Sequence, residues 1–276
     1  MFQQCVALVS ANRRKFMSLT IHERTLPIHE CELYVRTVGS GPPLVLLHGF
    51  TSSGASWEPF VEPLAREYTL IVPDLRGHGR STNPSNQFTH SQAARDIFAL
   101  LDRLGVDHFR AMGMSTGAMT LLHSATQQPA RVEAMVLLGG TTYYPERARA
   151  IIRRSTVESA TPERLEEMRR THSHGDEQIR SLLAQFHGFK DSYDDMNFTP
   201  PYLSTITART LVVHGDRDEY FALSIPLEIH RSIPGAHLWI VPHCGHGLLR
   251  ETFASGLGKE MFLHTALAFL RGEWEG

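Results

Sequence analysis

The chain has 276 residues, of which 42% are hydrophobic, 20% charged and 9% aromatic, a make-up that excludes disorder, collagen and low-complexity fibres and leaves a globular protein with a sizeable core. Lys and Arg total 27 against 29 for Asp and Glu, a net charge of −2, so no global field draws a polyanion or an anionic membrane, and neither nucleic acid nor membrane is an expected partner. Cys5, Cys31 and Cys244 form no C-x-x-C pair, which points away from a disulfide framework or a cysteine zinc site and toward a reducing cytoplasm.

Arg13, Arg14 and Lys15 follow the short apolar run Val6-Ala7-Leu8-Val9, the reverse of a signal peptide's order and too short to span a bilayer. Residues 1–20 are expected to be an N-terminal extension, with no export or anchoring. From Ile21 onward, apolar β-branched runs alternate with segments of helical period. This pattern predicts an α/β protein with a largely parallel sheet covered by helices.

Residues 25–28 and 31–38 read as an opening antiparallel pair. Pro43-Leu44-Val45-Leu46-Leu47 and Leu70-Ile71-Val72 are continuous apolar runs, as strands buried on both faces should be. Ala94, Ile97, Leu100, Leu101 and Leu104 recur at three and four positions, so 89–105 reads as a helix that Gly105 stops. Phe109-Arg110-Ala111-Met112 is the next strand, 118–128 a helix ended by Pro129, and Ala134-Met135-Val136-Leu137-Leu138 a further buried strand.

From Thr141 to about Thr205 charged residues are dense and aliphatic strand runs vanish, the signature of an inserted helical lid. Strand runs resume at 210–214 and 237–241, and 260–270 closes the chain as a helix. No internal repeat or biased tract is present.

Gly113-Met114-Ser115-Thr116-Gly117 places a G-x-S-x-G between an apolar strand and a helix, the setting of a nucleophile elbow. Gly113 and Gly117 leave room for the sharp turn, and the backbone N–H of Thr116 points toward a developing oxyanion at the helix start. A serine needs a base, and a base on an imidazole needs a carboxylate to fix its tautomer. Of 16 histidines, His246 is favoured because it lies on a glycine-flanked loop past the last strand; His243 is its rival. Of the acids after strand 210–214, Asp218 is favoured, and Asp216 reads as a turn residue bonding local backbone N–H groups. Ser115, Asp218, His246 is the chain order of one hydrolase architecture.

Four further segments accompany the elbow: Leu46-Leu47-His48-Gly49-Phe50, the loop Asp74-Leu75-Arg76-Gly77-His78-Gly79-Arg80-Ser81, the acid loop Gly215 to Asp218, and Gly245-His246. Together they make the chain similar to the α/β-hydrolase family from about Thr20 to its end. The resemblance implies an α/β-hydrolase fold: an eight-stranded, mostly parallel sheet flanked by helices, with a helical lid inserted after strand 6. The core is expected at 21–142 and 206–276 and the lid at 143–205. Phe50 would supply the second oxyanion N–H beside Thr116, and the loop 74–81 would be structural. Serine at position 115 argues against the dehalogenases and epoxide hydrolases of this fold, which use Asp. Met114 and Thr116 stand where relatives often have His or Gln, and Met or Gly.

The activity implied is hydrolysis of a carboxylic ester, lactone or thioester of a small to medium apolar substrate through a Ser-His-Asp triad and an acyl-enzyme. Cleavage of a carbon–carbon bond in a β-diketone-like substrate, or a ligand-sensor role, are the alternatives. Phe50, Met114, Trp57, Tyr143 and Phe186 are the apolar residues assigned to the substrate pocket. His48 reads as a buried residue whose ring bonds backbone near the elbow, and His172 and His174 as solvent-exposed residues rather than metal ligands. No Walker or G-x-G-x-x-G pattern follows a strand. The expectation is therefore no cofactor, no metal, a small-molecule substrate, and a monomer or homodimer.

Overall fold

The structure, a computed structural model, describes residues 20–274; the extension expected at 1–20 lies, but for Thr20, outside the described residues. Strands β1 (Ile21–Ile28) and β2 (Cys31–Val38) pair antiparallel from Ile21 opposite Val38 to Ile28 opposite Cys31. Then follow β3 (Pro43–Leu47), α1 (Glu58–Ala65), β4 (Thr69–Pro73), α2 (His90–Arg103), β5 (Phe109–Met114), α3 (Thr116–Gln127) and β6 (Val132–Leu138). Thr89 caps α2 by accepting the Gln92 N–H at 3.0 Å, and Gly105 follows the helix at φ +70°, the left-handed turn for which glycine is suited.

Beyond β6 the chain makes α4 (Glu146–Arg154), α5 (Pro162–Thr171), α6 (Gly175–Gly188) and the short α7 (Pro200–Leu203) before β7 (Arg209–Gly215), α8 (Ser224–Ser232), β8 (His237–Val241) and α9 (Gly256–Arg271). The segment between β6 and β7 is helical, with one isolated bridge from Tyr143 to Asn197. Most of its cations stay at the surface, with the Arg153, Arg169 and Arg170 side chains 47%, 46% and 68% exposed. Arg149, 4% exposed, donates to the carbonyls of Tyr144, Lys190 and Ser192 at 2.8, 2.5 and 2.7 Å. One side chain thus satisfies three carbonyls of the loops that join the insertion's helices.

The eight strands form one sheet in the order β1-β2-β4-β3-β5-β6-β7-β8, antiparallel at β1–β2 and β2–β4 and parallel from β4 to β8. Successive residues of β3 serve opposite faces. Val45 and Leu47 join Ile97 and Leu101 of α2, Leu121 of α3 and Ile229 of α8, whereas Leu44 and Leu46 join Phe60 of α1 and Phe262 and Phe269 of α9. Two covered faces explain why the strand reads as an unbroken apolar run instead of an alternating one.

After β3 the chain steps to β4 on one side and then returns to β5 on the other. The loops leaving β3 and β5 therefore diverge from the same edge, and a crevice opens between them at the strands' C-terminal ends. Among the described residues, no helix is long and apolar enough to cross a membrane.

Candidate active site

Ser115 occupies the turn between β5 and α3 at φ 51°, ψ −112°, a conformation that costs a non-glycine residue about 1–3 kcal/mol and is tolerated where the surroundings enforce it. They do so here. A Cβ on Gly113 would lie 2.4 Å from the Gly117 carbonyl carbon, and one on Gly117 would lie 2.3 Å from the Leu47 carbonyl oxygen. Only glycines let α3 start this close to β3 and β5. The Ser115 N–H donates to the Leu138 carbonyl at 2.8 Å, which pins the turn to β6.

His246 arrives from the loop after β8. Its Nε2 lies 2.9 Å from Ser115 Oγ and its Nδ1 2.7 Å from Asp218 Oδ2. A carboxylate only accepts, so Nδ1 carries the proton and Nε2 is free to accept the serine hydroxyl. Asp218 is held in turn by the backbone: Oδ1 accepts the N–H groups of Tyr220 and Phe221 at 2.8 and 2.9 Å. Its burial opposes ionisation, yet the bonds from His246 and the Phe221 N–H outweigh this and lower its pKa. The aspartate is an anion beside the imidazole.

Of the two alternatives left open by sequence, His243 is exposed, and Asp216 Oδ1 accepts the Cys244 N–H at 3.1 Å. Asp216 thus reaches across to the histidine loop and does not bond its own turn as expected. Gly215 packs between the same loops, where a Cβ would meet the Cys244 carbonyl oxygen at 2.2 Å.

The loop after β3 passes the nucleophile, since a Cβ on Gly49 would be 3.6 Å from Ser115 Cβ. Phe50 follows Gly49 directly. His48 is wholly buried; its Nδ1–H donates to the Gly49 carbonyl at 2.8 Å, and its Nε2 accepts the Leu75 N–H at 2.9 Å. Burial lowers its pKa, so the ring is a neutral backbone brace, as the sequence suggested, bound to the β3 and β4 loops. The Thr116 N–H is the first of α3 and has no intrahelical carbonyl to meet.

The loop 74–81 is also structural. Asp74 accepts the Gly54 N–H at 2.7 Å and the Arg80 N–H at 2.9 Å, and Gly79, at φ +53°, would drive a Cβ to 2.0 Å from Asp74 Oδ2.

Of the five residues assigned to the pocket, Met114 adjoins Ser115 in the chain, Phe50 follows the Gly49 that passes it, and Phe186 is joined to Phe50. Met114 packs where a Cβ on Gly139 would meet both its Cε and the His246 ring, at 3.4 and 3.3 Å. The Phe50 ring meets Phe189 edge-on at 4.9 Å and stacks on Phe186 at 6.0 Å, joining core to insertion. Trp57 requires correction. It is 0% exposed, packs on Phe60 and belongs to the cluster beneath α1 and α9, because the turn before α1 points it at the core. Tyr143 is 43% exposed; the buried neighbour is Tyr144, stacked on Phe189 at 5.5 Å, a distinction invisible in a Tyr-Tyr pair.

His172 is the other correction. Expected in solvent, it is 3% exposed, with Nδ1 accepting the Gly79 N–H at 2.9 Å and Nε2–H donating to the Thr51 carbonyl at 3.3 Å. His174 is exposed, as expected.

Two side chains that tie the insertion to the core escaped the sequence reading. Asp195 of the insertion accepts the His90 ring Nδ1–H at 2.6 Å and the backbone N–H groups of His90 and Ser91 at 2.7 and 3.1 Å. Arg164 of α5 donates to Thr51 Oγ1 at 2.5 Å and Glu167 Oε2 at 2.7 Å.

Residues 42–157 match the family model described as alpha/beta hydrolase fold. The chain is 34% identical over 122 residues to the soluble epoxide hydrolase of Corynebacterium sp. (strain C12), an alignment covering 44% of this chain and 43% of that protein. Over 87% of this chain and 91% of the relative, it is 27% identical to 2-hydroxy-6-oxononadienedioate/2-hydroxy-6-oxononatrienedioate hydrolase 1 of Dechloromonas aromatica (strain RCB). Among solved structures it resembles 2-hydroxy-6-oxo-6-phenylhexa-2,4-dienoate hydrolase from Rhodococcus sp. strain RHA1, with a TM-score of 0.71, 23% identity and coverage of 90% of this chain and 100% of that one. Sheet order, elbow and matches agree, and the chain has the α/β-hydrolase fold.

Proposed function

We propose that the protein is a serine hydrolase that cleaves a carboxylic ester, lactone or thioester of a small cytoplasmic molecule through an acyl-enzyme, with no cofactor. The observation that carries the reading is the unbroken chain from Asp218 through His246 to Ser115 Oγ, at 2.7 and 2.9 Å. His246 Nε2 takes the hydroxyl proton as Ser115 Oγ attacks the carbonyl carbon. Asp218 stabilises the imidazolium, and the N–H groups of Phe50 and Thr116 bind the oxyanion. Collapse expels the alcohol or thiol, which leaves with the proton from His246. The same imidazole then deprotonates water to release the acid and restore Ser115. Helices α4 to α6 act as a lid, and Phe50, Met114 and Phe186 line the apolar part of the site.

A second reading is hydrolysis of a carbon–carbon bond next to a carbonyl, in which the leaving group is a carbanion stabilised as an enolate. It is favoured by the name of the Dechloromonas relative, which aligns along almost the whole chain. Serine at position 115 makes epoxide opening by an aspartate nucleophile the least suitable, despite the partial match to an epoxide hydrolase.

The test is hydrolysis of 4-nitrophenyl esters from acetate to laurate, beside bleaching of a dienolate β-diketone chromophore, in wild type and Ser115→Ala. Loss of about 10³-fold or more in kcat/KM on substitution is the expected result. Whichever substrate shows steady Ser115-dependent turnover identifies the bond cleaved. A single burst that stalls supports a sensor instead, and turnover indifferent to Ser115→Ala rejects the mechanism.

A further inference from the structure

We infer that Tyr220 and Phe221 are positioning residues of the triad: their rings hold the His246 imidazole in the plane in which it bonds Ser115 and Asp218 together, and they keep water from its bond to Asp218. The inference rests on the serine-hydrolase reading and adds two residues to its machinery.

Hydrogen bonds reach the imidazole at two points, Nε2 at 2.9 Å from Ser115 Oγ and Nδ1 at 2.7 Å from Asp218 Oδ2. Two points define an axis and leave the ring free to tilt about it. The lone pair of Nε2 and the Nδ1–H lie in the ring plane, so a tilt moves both off their partners, and only contacts on the body of the ring oppose it. The loop itself supplies few. Gly245 and Gly247 flank His246, and Gly139 faces its ring, where a Cβ would be 3.3 Å from Cε1. Met114 Cε, 3.4 Å from the same point, ends a flexible thioether chain. Among the described residues, the rings that meet the imidazole are those of Tyr220, tilted at 5.0 Å, and Phe221, edge-on at 5.3 Å, both within the range of aromatic contact.

The same two residues hold the acid. Asp218 Oδ1 accepts their backbone N–H groups at 2.8 and 2.9 Å, so one dipeptide fixes the carboxylate through its amides and the imidazole through its rings. It is anchored in turn. Phe221, 3% exposed, belongs to the core with Ile225 and Ile229 of α8, and Tyr220 packs against that core. The Phe221 carbonyl accepts the Nε2–H of His214, a buried residue near the end of β7, at 2.9 Å. The Asp218 side chain is 0% exposed and that of His246 17%, so water approaches their bond from the histidine's side, where the two rings pack. Placement of this kind matters to rate, because an error of about 1 Å costs on the order of 10²-fold.

The experiment replaces the rings and keeps the amides. Tyr220→Ala and Phe221→Leu each remove an aromatic ring, and Tyr220→Phe retains one. Turnover of the substrate that wild type cleaves is measured per active serine, counted by titration to completion with a 4-nitrophenyl phosphonate, so that misfolded molecules do not enter. Each ring-removing variant is expected to lower kcat about tenfold with KM within twofold of wild type, and Tyr220→Phe to recover most of the loss at its position. A kcat within twofold of wild type in Tyr220→Ala or Phe221→Leu overturns the inference, as does a loss confined to KM, which marks a substrate contact. A Tyr220→Phe as slow as Tyr220→Ala also overturns it, because the hydroxyl and not the ring is then at work. If wild type shows no Ser115-dependent turnover of an ester or of the dienolate, the serine-hydrolase reading has failed. Proton NMR then decides the positioning by itself, on the downfield Nδ1–H signal that His246→Gln removes. A signal resolved in wild type and Tyr220→Phe but lost to exchange with water in Tyr220→Ala supports it, and one equally sharp in Tyr220→Ala, or absent from wild type, rejects it.

Discussion

A methyl group on Gly117 would stand 2.3 Å from the carbonyl oxygen of Leu47 and 2.8 Å from its Cβ, and Leu47 belongs to a strand flanked on both sides. Neither partner can retreat, so Gly117→Ala must push α3 away from the sheet and carry Ser115 from His246. The expected cost is about 1–3 kcal/mol or more, read as a lower midpoint of urea unfolding, together with loss of Ser115-dependent turnover. Gly175→Ala is the comparison: its φ is +76° but a Cβ would meet nothing within 4 Å, so it bears backbone strain of about 1–2 kcal/mol and leaves the elbow in place. Equal turnover losses in the two variants would mean that the elbow's close packing does not matter. At this scale the triad was legible because Ser115, Asp218 and His246 each follow a strand run closely and have glycines nearby. Arg164 and Asp195 were not, because Thr51 is 113 residues from the first and His90 105 residues from the second, and no local pattern encodes such contacts.

The insertion is fastened to the core by two titratable clasps. The His172 ring, after α5, accepts the Gly79 N–H, and burial lowers its pKa to about 4 from 6.5. Asp195, before α7, binds the start of α2. Burial opposes its charge, but the bonds from the His90 ring and backbone outweigh this and bring it to about 2 from 3.8. Both folded values are depressed, so the unfolded chain takes up each proton first. The stability linked to each clasp is complete above the unfolded value and declines as pH falls toward the folded one. For His172 the decline runs from about 6.5 to 4 and is worth roughly 3 kcal/mol; for Asp195 it runs from about 4 to 2 and is worth roughly 2 kcal/mol. Urea unfolding at a series of pH values should show His172→Asn losing less stability than wild type between pH 6.5 and 4, and Asp195→Asn losing less below pH 4. Parallel profiles for wild type and both variants would show that neither clasp titrates on unfolding. Element types were largely readable, since strands buried on both faces leave apolar runs. By contrast α1 and α8 carry Pro63 and Pro226 within their span, which breaks the helical pattern, and the insertion hides its helices because Met168, Ile179, Leu182 and Leu183 form a small cluster of their own.

Across the whole molecule, the order of strands is what no single run of sequence contains. The parallel runs could be listed in chain order, but the step from β3 out to β4 and back to β5 depends on pairings between distant segments, and it is this reversal that opens the crevice for the triad. The antiparallel β1–β2 hairpin must also be tied to that parallel sheet, and part of the tie is a buried ion cluster. Arg76, 3% exposed, donates to both oxygens of Asp96 in α2 at 2.5 and 3.1 Å and to Glu30 in the β1–β2 turn at 2.9 Å. Hairpin, β4 loop and α2 thus meet at one guanidinium. Removing the carboxylate of the fully buried Asp96 leaves Arg76 with only the half-exposed Glu30, a charge that cannot ionise differently and cannot reach water. Asp96→Ala is expected to lower stability by about 3–5 kcal/mol, whereas the paired change Arg76→Met with Asp96→Leu removes both charges and recovers most of that loss. Urea unfolding of the two single variants and the double variant measures the coupling directly. A double variant as unstable as Asp96→Ala would show that the cluster is needed for its shape and its hydrogen bonds to the hairpin turn, and that an unpaired charge is not what destabilises the single variant.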